Sequence, residues 1–213
     1  MIKVIRPFGP TIAKVKMPND LIKELNLYLD EIILDDEKKK NLDYGKYLAG
    51  NVKNEFQLEK NFITLSGLKI FLEENINEWI YQSTKQKIKK FEIIDSWIVR
   101  QFKNEYNPLH SHGGHISGVG YLKLPKDFGK TFQKNKSENY NGKLQLVHGT
   151  RMFLSPIDLN ITPELGDFYF FPNYLMHCVY PFINSNEERR SISFNAYIDN
   201  DIYNVHGSSI DEK

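Results

Sequence analysis

"GDFYFFPNYLMHCVYPF", residues 166–182, opens on a glycine-aspartate turn, runs through consecutive aromatic residues, breaks at Pro172 and resumes as a second apolar segment led by His177. The first run reads as a strand buried on both faces and the second as another strand. Similar short β-branched and aromatic runs surround them: "FEIIDSWIVRQF", "ISGVGYLKL", "GKLQLVH" and "RRSISFNAYI". Turn-rich segments such as "NEYNP", "KNKSENYNG" and "NSNEE" separate them, and no helical periodicity intervenes. Residues 91–203 are therefore expected to form two packed antiparallel sheets, a sandwich or jelly roll. The polar insert 129–142 reads as a mobile loop and 204–213 as a loosely held tail.

Upstream, the pattern is helical. After Pro18, with Asn19 or Asp20 as cap, Leu21, Leu25, Tyr28, Leu29 and Ile32 recur at helical spacing. "DDEKKKNLDYGKY" reads as a solvated connection. A second helix starts near Ser66, turns Leu68, Leu72, Ile76, Trp79 and Ile80 inward and ends among the lysines near 85–90. Residues 1–90 are thus a helical supporting region on one outer face of the β half, within one compact domain of mainly β, α+β class.

The 213 residues suffice for a sizeable core. With 28 basic and 27 acidic side chains, the chain gives no whole-molecule electrostatic case for nucleic acid or an anionic membrane. Cys178 is the single cysteine, which excludes an internal disulfide or a multi-cysteine zinc site and fits a reducing cytoplasm. "MIKVIRPFGPTIAKVKMP" breaks before any apolar run reaches the length of a signal peptide or membrane span. A soluble, intracellular protein is expected.

Three of the six histidines crowd into "HSHGGHISGVGYL", residues 110–122. In a strand, His110 and His112 share a side and can face one metal, although two polar residues at a strand end would look the same. His115 follows a Gly113–Gly114 break and is expected near the site or facing substrate, not among the ligands. His177 is either a satisfied core histidine or a third ligand. Arg189, at the mouth of an apolar strand, needs an anion because its charge is permanent. That anion is either Glu187, Glu188 or another carboxylate of the chain, or the carboxylate of a small ligand held bidentately.

Taken in order, "HxH", "GDFYFFPNYLMH" and "RxSISFN" resemble the Fe(II)- and 2-oxoglutarate-dependent oxygenases, especially a group found in bacteria and bacteriophages. In that group a histidine pair precedes "SGVYYL", followed by "FP…H" and "ERISISFN". The resemblance spans about residues 95–198 and, more loosely, "LAGNVKNEF". It implies a double-stranded β-helix, a cupin-like jelly roll, with His110 as the first and His177 as the distal iron ligand. It assigns Arg189 and Ser191 to the far carboxylate of 2-oxoglutarate, with Arg190 as the alternative if the register slips by one. Tyr121 falls where the family often has a strand tyrosine near the co-substrate.

One position departs from the family pattern. The usual HxD or HxE carboxylate is here His112, so the metal set becomes His110, His112 and His177. Three neutral imidazoles leave the ion's two charges uncancelled, which the two carboxylates of 2-oxoglutarate can match. Glu105 and Asp167 could supply a carboxylate, but neither has the right place in the motif. The resemblance implies a dioxygenase that uses O2, releases succinate and CO2 and hydroxylates a prime substrate, small molecule or protein side chain, that no motif names. Two other readings stay open: a three-histidine cupin-like or zinc metalloenzyme without 2-oxoglutarate, and a non-catalytic, metal-stabilised binding protein.

Overall fold

The computed structural model describes residues 9–131, 133, 135–183 and 185–204. The first eight residues and the tail from residue 205 lie outside them. In chain order the elements are β1 (Ala13–Lys16), α1 (Asn19–Leu34), α2 (Asp36–Asn41), a 3-10 turn (Gly45–Tyr47), β2 (Asn54–Gln57), α3 (Lys60–Leu65) and α4 (Leu68–Thr84). Then come β3 (Phe91–Gln101), β4 (Asn107–His110), β5 (Ile116–Lys123), β6 (Leu144–Val147), β7 (Asp158–Ile161), β8 (Asp167–Pro172), β9 (Met176–Val179), β10 (Arg189–Ile198) and α5 (Asn200–Tyr203).

The strands form two antiparallel sheets. The larger has the order β1-β8-β5-β10-β3-β2 and the smaller β4-β9-β6-β7. Alternation along the larger sheet separates two cores. Its outer face, with Ile98, Phe168, Phe170, Ile192 and Phe194, packs against Leu25 and Leu29 of α1 and Leu72 and Ile76 of α4. Its inner face brings Val119, Tyr121, Tyr169 and Phe171 against Leu144 and Leu146 of the smaller sheet. Each fully buried Leu or Phe contributes roughly 1.5–3 kcal/mol through the apolar surface it removes from water.

The helices follow the expected apolar stripes, with their ends shifted. Pro18 occupies the N-cap of α1 and makes no side-chain cap bond, so neither Asn19 nor Asp20 caps it; Asp20 lies in the first turn, where an acidic group suits the helix dipole. Gly67, at φ +81°, precedes α4 in place of Ser66. The charged connection contains the exposed helix α2, whose first amides Glu37 and Lys38 donate to Asp35 Oδ1. β1 and β2, both from the first 90 residues, pair with β8 and β3 and so extend the larger sheet at its two edges. Among its described residues insert 129–142 has no helix or strand, and Asn139 and Asn141 donate to the Gly129 carbonyl at its base.

The glycines of "SGVGYL" make the outer core possible. A Cβ at Gly120 would stand 2.8 Å from Phe168 Cε2 and 3.0 Å from Met17 Cε, and Phe168 is fully buried. Gly120→Ala is expected to destabilise the protein by about 1–3 kcal/mol through overpacking. A thermal melt should fall by roughly 2–4 °C for each kcal/mol lost in a chain of this size; an unchanged midpoint would mean that the aromatic cluster yields without strain.

Candidate metal and co-substrate site

The two sheets hold a pocket between them, bordered by His110, His112, His177, Arg189, Ser191 and Trp97 among others. His110 ends β4 and lies opposite His177 on β9. His112 stands beyond the strand, so strand parity is not what aims it: the chain turns there, and Asn173 fixes the turn. The His112 amide donates to the Asn173 carbonyl (3.1 Å) and the Asn173 side chain donates to the His112 carbonyl (3.2 Å). Asn173 sits inside "FPNYLMH", four residues before His177, yet its polar side chain alone gave no sign of this bracing role.

The three imidazoles converge, their candidate ligand atoms all within 4.8 Å of one another. His110 Nδ1 donates to the Pro108 carbonyl (2.7 Å) and His177 Nδ1 to the Leu175 carbonyl (2.9 Å). A carbonyl only accepts, so each Nδ1 carries the proton and each Nε2 keeps its lone pair for the centre. His112 Nε2 lies 3.1 Å from His177 Nε2. Burial, then the neighbouring imidazoles, push His112 down to about 3, and burial and His110 push His177 down to about 4. Both rings are therefore neutral at neutral pH, the protonation state that a metal ligand requires. A three-imidazole set suits a divalent transition ion.

His115 is turned elsewhere. Its ring stacks on Tyr203 at 3.9 Å between centroids, its Nδ1 lies 3.2 Å from the Ile198 amide nitrogen, and it does not border the pocket. The expectation that it lies near the site or faces substrate gives way to a packing role at the end of β10. Asp167 is engaged by Lys14 (2.7 Å) and Lys16 (2.6 Å), while Glu105 accepts the Phe102 amide (2.8 Å). Neither carboxylate joins the histidines.

Alternation on β10 separates the two arginines. Arg190 points outward and is held by Glu188 (2.6 Å), Asp30 (2.6 Å) and Asn26 Oδ1 (3.1 Å). Glu188 also receives Arg100 (2.6 Å) and Lys123 (2.9 Å); although burial pushes its carboxyl up, these cations hold it down to about 2. Arg189 points inward and is 2% exposed. Its Nη1 donates to the Gly142 carbonyl at 3.2 Å, its guanidinium lies 5.3 Å from the centre of the Tyr121 ring, and its Nε has no partner. Among the described residues no carboxylate pairs with it, so the internal salt bridge open to Arg189 in the sequence belongs to Arg190. The Tyr121 hydroxyl is likewise buried, with no hydrogen-bond partner among the described residues. Two unsatisfied donors beside a permanent cation define a place for an anion.

Two facing sheets of this topology with a histidine cluster between them define the jelly-roll class of the double-stranded β-helix. Residues 95–195, just under half of the chain, match the family model described as "Putative 2OG-Fe(II) oxygenase". No curated protein sequence matches the chain. Among solved structures, a prolyl-4-hydroxylase of Pseudomonas putida is similar at TM-score 0.54 and 12% identity, over 88% of this chain and 91% of that one. The viral collagen prolyl hydroxylase of Paramecium Bursaria Chlorella virus-1, in its 2OG complex, is similar at TM-score 0.53 and 16% identity, over 87% and 94%. HygX of Streptomyces hygroscopicus, with nickel, 2-oxoglutarate and hygromycin B bound, is similar at TM-score 0.55 and 10% identity, over 88% and 83%. At such identities the likeness is one of fold. Among the described residues no helix is long and apolar enough to cross a membrane.

Proposed function

We propose that the protein is an Fe(II)- and 2-oxoglutarate-dependent dioxygenase that hydroxylates a C–H bond of a prime substrate. His110, His112 and His177 are the metal ligands in this reading. The observation that carries it is Arg189: a permanently charged, fully enclosed guanidinium with an unpaired Nε, in the same pocket as the three histidines. A dicarboxylate fits that arrangement, one end reaching the metal and the other Arg189.

Fe(II) with 2-oxoglutarate and O2 supplies oxidative decarboxylation to succinate and CO2 coupled to hydroxylation. The chain's own residues bind and orient. Arg189 donates to the far carboxylate, Ser191 on the same face adds its hydroxyl and Tyr121 its buried O–H. His110 and His177 present Nε2 because the Pro108 and Leu175 carbonyls hold the protons on Nδ1. Trp97 beside His112 (5.7 Å between ring centres) and Phe171 beside His177 (4.9 Å) keep water from the imidazoles. Three neutral ligands leave the ion's charge for the co-substrate's carboxylates to match.

The test is anaerobic. Adding Fe(II) and 2-oxoglutarate together to the purified protein is expected to produce a weak visible absorption band that neither gives alone, and admitting O2 should release succinate. A protein that binds a divalent metal but shows no band and no succinate is not a 2-oxoglutarate enzyme.

A further inference from the structure

Glu55 on β2 is a buried carboxylate that forms no salt bridge among the described residues. It is 2% exposed, and among the described residues neither of its oxygens has a hydrogen-bond partner. Burying an ionised carboxylate unpaired is costly, and here the surroundings add repulsion. Burial first, then Asp43 and Glu105, push the carboxyl up to about 7. The two neighbours are themselves satisfied by backbone donors: Gly45 N–H donates to Asp43 Oδ1 (3.0 Å) and Phe102 N–H to Glu105 Oε2 (2.8 Å). Glu55 alone is left open.

Its position connects it to the candidate site. Glu55 lies directly opposite Val99 in the β2–β3 ladder, and opposite residues in an antiparallel pair point to the same face. Val99 borders the histidine pocket, as does Asn107. Asn107 Oδ1 and Glu55 Oε1 flank Gly50, each 2.9 Å from where its Cβ would stand, and Glu55 Oε2 lies 3.6 Å from the corresponding point at Gly45. Glycine at both positions keeps side-chain atoms away from the carboxylate. Tyr44, whose amide donates to the Glu55 carbonyl (2.8 Å), has its ring centre 5.9 Å from that of Trp97, a residue that borders the histidine pocket.

We propose that Glu55, with Asp43 and Glu105 beside it, forms an anionic subsite at the β2 edge of the histidine pocket that receives an organic cation of the prime substrate, an alkylammonium or guanidinium group. Calling that ligand the substrate rests on the oxygenase reading above. A metal ion fits less well: among the described residues the three histidines converge as a metal cluster, and these carboxylates do not. Aromatic faces beside carboxylates suit a weakly hydrated organic cation. Asn107 borders the pocket and approaches Gly50 as Glu55 does, so in this proposal the cation sits at the end of a chain and displaces that amide.

The full chain is titrated calorimetrically with n-butylammonium, n-propylguanidinium, a neutral alcohol of equal length or Mg2+ alone, at about pH 8, where a group of this kind is ionised. Both organic cations are expected to bind at least about tenfold tighter than the alcohol, one charge-assisted contact being worth about that factor. Glu55→Gln should remove the preference, and Asp43→Asn, an exposed and structurally mild change, should reduce it. Equal binding of alcohol and cations, a preference that survives Glu55→Gln, or Mg2+ that saturates the site and displaces both cations overturns the subsite. The Fe(II)/2-oxoglutarate band separates the two readings: its absence beside an intact cation preference removes the oxygenase reading alone, and its presence without a preference removes the subsite alone.

Discussion

Alanine at His110, His112 or His177 is each expected to abolish tight iron binding, while His115→Ala keeps it. Removing one of three ligands leaves an ion held by two imidazoles; since changes merely adjacent to a metal's ligands cost roughly 10–100-fold in affinity, loss of a ligand should cost more than about 100-fold. Metal analysis after exhaustive dialysis measures this directly. His115 stacks on Tyr203 and meets the Ile198 backbone, so its loss should lower the melting temperature and leave one ion per chain. His112→Asp is the informative partner. It restores the carboxylate common in this class of site and should retain iron, provided that Asn173 still holds the residue-112 backbone. If His112→Ala binds iron normally and His115→Ala does not, the proposed ligand set is wrong.

Much of this arrangement was legible in the sequence, for reasons that differ by element. The strands β5, β8 and β10 and the second half of β3 (residues 96–101) announce themselves through apolar runs bounded by turn residues, because both of their faces are largely covered. α1 and α4 follow from 3.6-residue stripes. β1 and β2 escaped notice because four residues of mixed polarity at a sheet edge carry no periodicity of their own; their pairing is decided by β8 and β3. The three histidines do meet, but the parity argument for His110 and His112 fails, since β4 stops at His110. The turn that aims His112 depends on Asn173, 61 residues away in sequence. The environment of Glu55 was equally invisible, because a buried unpaired carboxylate looks like any surface glutamate until the fold encloses it.

Arg189→Ala is expected to weaken 2-oxoglutarate binding by about 10- to 150-fold, the equivalent of roughly 1.5–3 kcal/mol for charge-assisted hydrogen bonds, with metal affinity nearly unchanged. The asymmetry with its neighbour gives the prediction its force. Arg190 spends its donors on Glu188, Asp30 and Asn26 on the outer face, so Arg190→Ala should leave co-substrate affinity within about twofold while destabilising the fold, because Glu188 loses a partner in a partly buried network. Arg189→Lys is a further discriminator: it keeps the charge and loses the planar fork, so it should recover only part of the affinity if the contact is bidentate. Titrating 2-oxoglutarate into the anaerobic Fe(II) protein and following the visible band reads the affinity, and thermal melts read the stability. Should Arg190→Ala lose the band while Arg189→Ala keeps it, the inward guanidinium is not the co-substrate anchor, and its buried, unpaired Nε would need another anion to explain it.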